Sequence, residues 1–195
     1  MPEPRSFAIR RMALAKDDRG SDPSARDGAV VIRLLPPLAR FSLRLQPRLL
    51  EPAKSVAGFG LNLPINRCQS VHGKGTLRLG PDEWLLCGPP VEGDAIAGEI
   101  EASLRDVTHA LVDVSHAYVA LSVSGPGAAE AINSGCPLDL SSVAFPQGAA
   151  TRTLVGTVEI ILSRWQDRAG FEVACGRSFA AYVREFLEEV GQRGG

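Results

Sequence analysis

The chain has 195 residues, enough for one large or two small domains and for a sizeable buried core. Apolar residues make up 45% and charged residues 22%, the balance of an ordinary globular protein. The 21 basic and 22 acidic side chains nearly cancel, which argues against a field that would draw nucleic acid or an anionic membrane.

In chain order, Met1 to Gly28 mixes Arg, Asp, Pro and Ser with short apolar pieces. It lacks the apolar core of a secretory signal, and no membrane-length run follows. The expectation is a flexible N-terminal arm over residues 1–37 and a cytoplasmic protein with reduced thiols. Phe41-Ser42-Leu43-Arg44-Leu45 alternates as a strand. Thr76 to Cys87 reads as a hairpin turning at Gly80-Pro81-Asp82, where Pro81 sets φ, Asp82 and Glu83 stay in water, and Trp84 leads a buried strand. A helix is predicted over 94–109, capped by Asp94, with Ile96, Ile100, Leu104 and Val107 on one face.

The second half runs through a similar series. Leu111 to Val114 and Tyr118 to Ser124 read as strands, and Pro126 to Ser134 as a short helix. Thr153 to Arg164 and Gly170 to Cys175 form a predicted long hairpin turning through Gln166 to Gly170. A last helix spans 178–190, with Ser178 as its cap and Gly191 as its end. Its buried stripe is Phe179, Tyr182, Val183, Phe186, Leu187 and Val190. Strand, hairpin and helix thus occur twice, about eighty residues apart. This predicts an α+β fold of two related halves, residues 38–110 and 111–195, each an antiparallel sheet covered by helices on one face.

Residues with chemical potential are few. Cys68, Cys87, Cys136 and Cys175 stand singly, without metal-site spacing, and read as small buried hydrophobes. Gly58-Phe59-Gly60 and Gly73-Lys74-Gly75 approach a dinucleotide fingerprint but lack its third glycine and open no helix, so they read as turns. Ser124-Gly125-Pro126-Gly127 could aim peptide N–H groups at an anion, yet Pro126 removes one donor, and a packing turn fits better. Asp113-Val114-Ser115-His116 invites a triad reading. Adjacent strand residues point to opposite faces, however, so Ser115 and His116 do not readily share a hydrogen bond. No catalytic, cofactor-binding or metal-ligating residue is assigned.

Several fragments together carry a resemblance. Gly80-Pro81-Asp82-Glu83-Trp84-Leu85-Leu86, Asp113-x-Ser115-His116-x-Tyr118 leading to Ser124-Gly125-Pro126-Gly127-Ala128, and Gly176-Arg177-Ser178-Phe179 resemble the gamma subunit of heterotetrameric sarcosine oxidase. So do Cys136-Pro137-Leu138-Asp139-Leu140, Phe145-Pro146-Gln147-Gly148 and Thr151-Arg152-Thr153-Leu154. The resemblance covers roughly residues 38–190 and implies an aminomethyltransferase-like fold, a duplicated, ferredoxin-like arrangement. It implies a non-catalytic small subunit beside alpha, beta and delta subunits. Those partners would hold FAD, FMN, NAD and tetrahydrofolate and oxidise sarcosine to glycine, passing the methyl carbon to tetrahydrofolate or releasing it as formaldehyde.

Two alternatives share the superfamily. An independent folate-binding aminomethyltransferase would need the acidic pair that, in an ungapped match, falls on Val158 and Glu159; one acid has become apolar. An iron–sulfur assembly factor would need a Lys-Gly-Cys-Tyr-x-Gly-Gln-type motif, in which none of the four cysteines stands. The candidate interface residues are Trp84, His116, Tyr118 and Trp165, large side chains placed by the sequence at hairpin tips or on the Ser-His-x-Tyr strand.

Overall fold

The computed structural model describes residues 30–49 and 55–193. Their strands are β1 (Val31–Leu34), β2 (Ala39–Leu45), β3 (Ser55–Val56), β4 (Phe59–Gly60), β5 (Arg67–Val71), β6 (Lys74–Arg78), β7 (Glu83–Gly88), β8 (His109–Asp113), β9 (Tyr118–Ser124), β10 (Ala149–Val155), β11 (Val158–Arg164) and β12 (Phe171–Gly176). The helices are α1 (Gly93–Ser103), α2 (Ala128–Asn133) and α3 (Ala180–Arg193). Ten strands form one antiparallel sheet in the order β1-β9-β12-β11-β10-β5-β6-β7-β2-β8. The fold is α+β.

From the β5–β10 contact outwards, the sheet has two wings, β5-β6-β7-β2-β8 and β10-β11-β12-β9-β1. The outermost strands are exchanged: β1 precedes β2 in the chain but pairs with β9, whereas β8 precedes β9 but pairs with β2. Each wing buries its outer face under its own helices. Phe41, Leu43, Trp84 and Leu86 meet Ile96, Ile100 and Leu104 of the α1 segment. Val123, Ile160, Leu162 and Val173 meet Ile132 of α2 and Val183 and Leu187 of α3. The inner faces meet each other. Leu77, Leu85 and Cys87 of one wing share a cluster with Ala120, Ile161 and Ala174 of the other, so the sheet curls upon itself.

The wings join through a narrow seam. Ala149 opposes Arg67, Cys68 N–H donates to Gly148 O at 2.8 Å, and Ala150 N–H donates to Asn66 O at 3.0 Å. An ion cluster spans the same gap. Arg152 of β10 donates to both oxygens of Glu83 on β7, at 2.8 and 2.5 Å, and Arg44 of β2 donates to Oε2 at 3.0 Å. Glu83 is therefore buried, not wet as its place beside a turn suggests. The Arg152 hydrogen bonds hold its carboxyl below the usual carboxylate range.

Other departures have local causes. Residues 1–29 of the expected arm lie outside the described residues, but Val31–Leu34 within it form β1, too short to show alternation. The expected boundary at 110/111 falls inside β8. Helix α1 closes at Ser103, and position 94 lies within it; Glu92 takes the cap position without a side-chain bond. The stretch 149–164 is itself a hairpin, because Gly156 at φ +59° turns the chain. The last helix begins after a 3₁₀ turn, Arg177–Phe179, so Ser178 lies inside that turn, and the helix continues past Gly191. Only part of its predicted stripe is core, with partly buried Phe186 packed against that core. Val183 and Leu187 are fully buried, while Phe179 and Tyr182 remain 51% and 44% exposed. Tyr182 and Phe186 lie over two glycines, Gly156 and Gly135, whose backbones bond to each other.

Two substitutions test this packing. Gly156→Ala places a β-carbon 2.6 Å from the Tyr182 hydroxyl at a left-handed backbone position. It should cost about 1–2 kcal/mol in urea denaturation, and a cost near zero would contradict the close approach. Glu83→Gln should cost about 1–2 kcal/mol at neutral pH, a charged hydrogen-bond value discounted for the partly exposed arginines. A depressed carboxyl stabilises above its unfolded range, and that contribution disappears as pH falls through the folded value. The Glu83→Gln difference should therefore shrink in acid; a difference constant with pH would contradict it.

Candidate functional site

The motif-bearing strand and the start of α1 meet at a cleft of about 560 Å³. Its walls come from the β1–β2 connector, the turn before α1 and the β8–β9 turn. Pro36, Val91, His116, Tyr118 and Arg177 are among its lining residues. Prolines at 36, 37 and 90 bring no peptide N–H to the surface, and Val91 at its rim is 92% exposed. The volume falls in the range of small-molecule sites, but the open, mixed wall also suits a protein segment.

The polar floor is tied into the fold. Arg40 N–H donates to Ser115 Oγ at 2.9 Å, and the Ser115 hydroxyl returns a long 3.5 Å bond to Arg40 O. Ser115 N–H donates to Asp113 Oδ1 at 2.8 Å. The Ser115 hydroxyl first, and its peptide N–H second, hold the Asp113 carboxyl below its usual range. Asp113 and Ser115 thus form a turn that locks β8 to β2. His116 is exposed beside them, so the three residues sit close in sequence without the relay of hydrogen bonds that a triad requires.

The other candidates separate. His116 and half-buried Tyr118 reach the cleft. Trp84 does not stay at its hairpin tip: it is 1% exposed, donates Nε1–H to Leu61 O at 3.0 Å, and carries Arg78 over its ring. Trp165 also turns inward, donating Nε1–H to Glu172 Oε2 at 3.0 Å under the Arg168 guanidinium. Both indoles find an internal acceptor, which makes burial favourable, so neither is a surface contact. Arg40 and Arg177 also line the cleft: Arg40 sits at the start of β2, just before the alternating stretch 41–45, and Arg177 opens a 3₁₀ turn that has no periodic pattern.

Groups outside the cleft are similarly committed. All four cysteines are free and buried. Burial pushes the thiols of Cys68 and Cys87 up to about 12 and raises that of Cys175, which disfavours the reactive thiolate. Ala57-Gly58 and His72-Gly73 are two-residue hairpin turns with positive φ, between β3 and β4 and between β5 and β6. Gly75 lies against the Trp165 ring, where a β-carbon would stand 2.9 Å from the indole. The glycine pairs therefore serve turns and close packing. Glu159 is an exposed strand residue, 3.8 Å from Arg152. Burial raises the Glu172 carboxyl, offset in part by Arg168 and Arg40. Among the described residues, no group of three His, Cys, Asp or Glu side chains could hold a metal, and no helix is long and apolar enough to cross a membrane.

Comparison with known proteins adds to this geometry. The profile of the sarcosine oxidase, gamma subunit family matches residues 50–192. A sarcosine oxidase subunit gamma from an Arthrobacter species is 31% identical over 147 residues, 74% of this chain and 71% of that protein. A chain of the heterotetrameric sarcosine oxidase from Corynebacterium sp. U-96, solved with pyrrole 2-carboxylate, superposes with a TM-score of 0.75 at 24% identity, covering 87% of each chain. Aminomethyltransferase T of the Bartonella henselae glycine cleavage system superposes with a TM-score of 0.63 at 13% identity, over 82% of this chain and 45% of that one. At those identities the two structures establish a shared, aminomethyltransferase-like fold. With most of its length matched by one profile and a relative aligned along nearly three quarters of it, the chain belongs to the sarcosine oxidase, gamma subunit family.

Proposed function

We propose that this chain is the gamma subunit of a heterotetrameric sarcosine oxidase and acts by association, without an active site of its own. Family membership supports the assembly. The observation that carries the second part is the commitment of its reactive side chains to the fold. Ser115 and Asp113 fasten β8 to β2, Glu83 bridges the wings, and the thiols are buried. On this reading alpha, beta and delta subunits hold FAD, FMN, NAD and tetrahydrofolate and oxidise the N-methyl group of sarcosine. The mirrored strand order supports two related halves as the product of a duplication, with β8 in the first wing and β1 in the second.

Co-expression with the three other chains tests the proposal. The expected result is a stable four-chain complex containing this chain in equal proportion, and a separately purified chain with no flavin absorbance and no saturable binding of reduced folate. Failure to join the complex, or stoichiometric flavin or folate on the isolated chain, would overturn it.

A further inference from the structure

Among the described residues the ten-stranded sheet is open at β8, and hydrogen bonding to β2 fixes the direction of its peptide groups. Val114, just beyond the strand, donates its N–H to Arg40 O at 2.8 Å. Antiparallel partners alternate between bonded and non-bonded pairs. Val112 and Ala110, opposite Ser42 and Arg44, therefore turn their peptide groups towards β2 as well. His109, Leu111 and Asp113 turn theirs outward, where no strand of the described residues meets them.

Exposed edges are normally blunted by Pro, Lys, a bulge or an overlying element. The opposite edge, β1, leaves Val31 and Leu34 39% and 38% exposed but has such devices: Arg33 lies on it, Pro36-Pro37 follow it, and Gly191 of α3 lies against Val30 at its start. Strand β8 contains neither Pro nor Lys, pairs with β2 in unbroken register, and leaves Val112 55% exposed. Acids flank it. Asp113 is exposed at one end, and Glu101 stands 3.1 Å from His109 Nε2 at the other.

We propose that β8 is a docking edge on which a companion chain of the oxidase adds an antiparallel or parallel strand, apolar at its centre and carrying Lys or Arg at its ends. The outward peptide groups of His109, Leu111 and Asp113 supply the main-chain pairing, Val112 supplies apolar contact, and the flanking acids select the basic ends. This rests on the proposed place of the chain in the complex. It also gives β8 and the neighbouring cleft one purpose, since the β8–β9 turn joins them.

Residue-resolved amide exchange on the full chain, free and within the assembled four-chain complex, provides the test. Ala110, Val112 and Val114 should be protected in both states. His109, Leu111 and Asp113 should exchange rapidly in the free chain and at least about 100-fold more slowly in the complex. In parallel, Val112→Lys should weaken assembly about tenfold or more while leaving the thermal midpoint of the free chain unchanged. An intact complex with those three amides still fast, or Val112→Lys assembling as well as the unsubstituted chain, would overturn the docking edge while leaving complex membership standing. Slow exchange in the free chain that disappears on dilution would overturn it in favour of a second copy on the same edge. A chain that never assembles would instead overturn the parent proposal.

Discussion

The contact between the inner faces of the two wings is what the rest of this structure depends on. The seam between β5 and β10 is narrow, with one paired position and a few main-chain bonds. Side chains must therefore hold the wings together. Leu77, Leu85 and Cys87 pack against Ala120, Ile161 and Ala174, and Trp165 fills the space that Gly75 leaves free. Glu83 and Arg152 fasten one border of this interior. Small residues such as Ala120, Ala150 and Ala174 allow the sheets to approach, so a bulky residue there would separate wings that the seam alone is too short to hold.

This arrangement is what supports the proposal that the chain works by association. The same carboxylates, arginines and thiols that suggest catalysis in a linear sequence act here as internal ties. Glu172 accepts from Trp165 and Arg168, Ser115 holds the Arg40 peptide, and Cys68 donates towards Ala149 O across the seam. Among the described residues, what stays accessible is surface suited to contact: the cleft with His116 and Tyr118, the protruding Val91, and the edge of β8.

Much of the fold was legible because its determinants are local. Alternation along Tyr118–Ser124 and the stop at Gly125 place β9 at the observed residues, and the Gly80-Pro81-Asp82 turn sets β6 against β7. The doubling of strand, hairpin and helix pointed to an α+β fold, but not to one ten-stranded sheet in which β1 and β8 exchange wings, since that depends on pairing between distant segments. Long-range partners also decided the errors. Glu83 is buried because Arg152 arrives from another wing, and Trp84 turns inward because Leu61 O waits for its N–H. Phe179 and Tyr182 share a helical spacing with Val183 and Leu187, yet the buried face of α3 is narrower than that stripe. Of the site, His116 and Tyr118 could be found from their motif, whereas Arg40 of β2 and Arg177 of the 3₁₀ turn reach the cleft only through the pairing of distant strands.

The claim that the chain contributes contacts rather than chemistry is tested most directly by sarcosine turnover per assembled complex, with His116→Ala and Glu159→Gln placed together in this chain. Both side chains are exposed, so assembly should survive. The account predicts an unchanged kcat at saturating sarcosine. A loss of about 100-fold, the scale of a missing acid–base group, in a complex of normal composition and flavin content would contradict it.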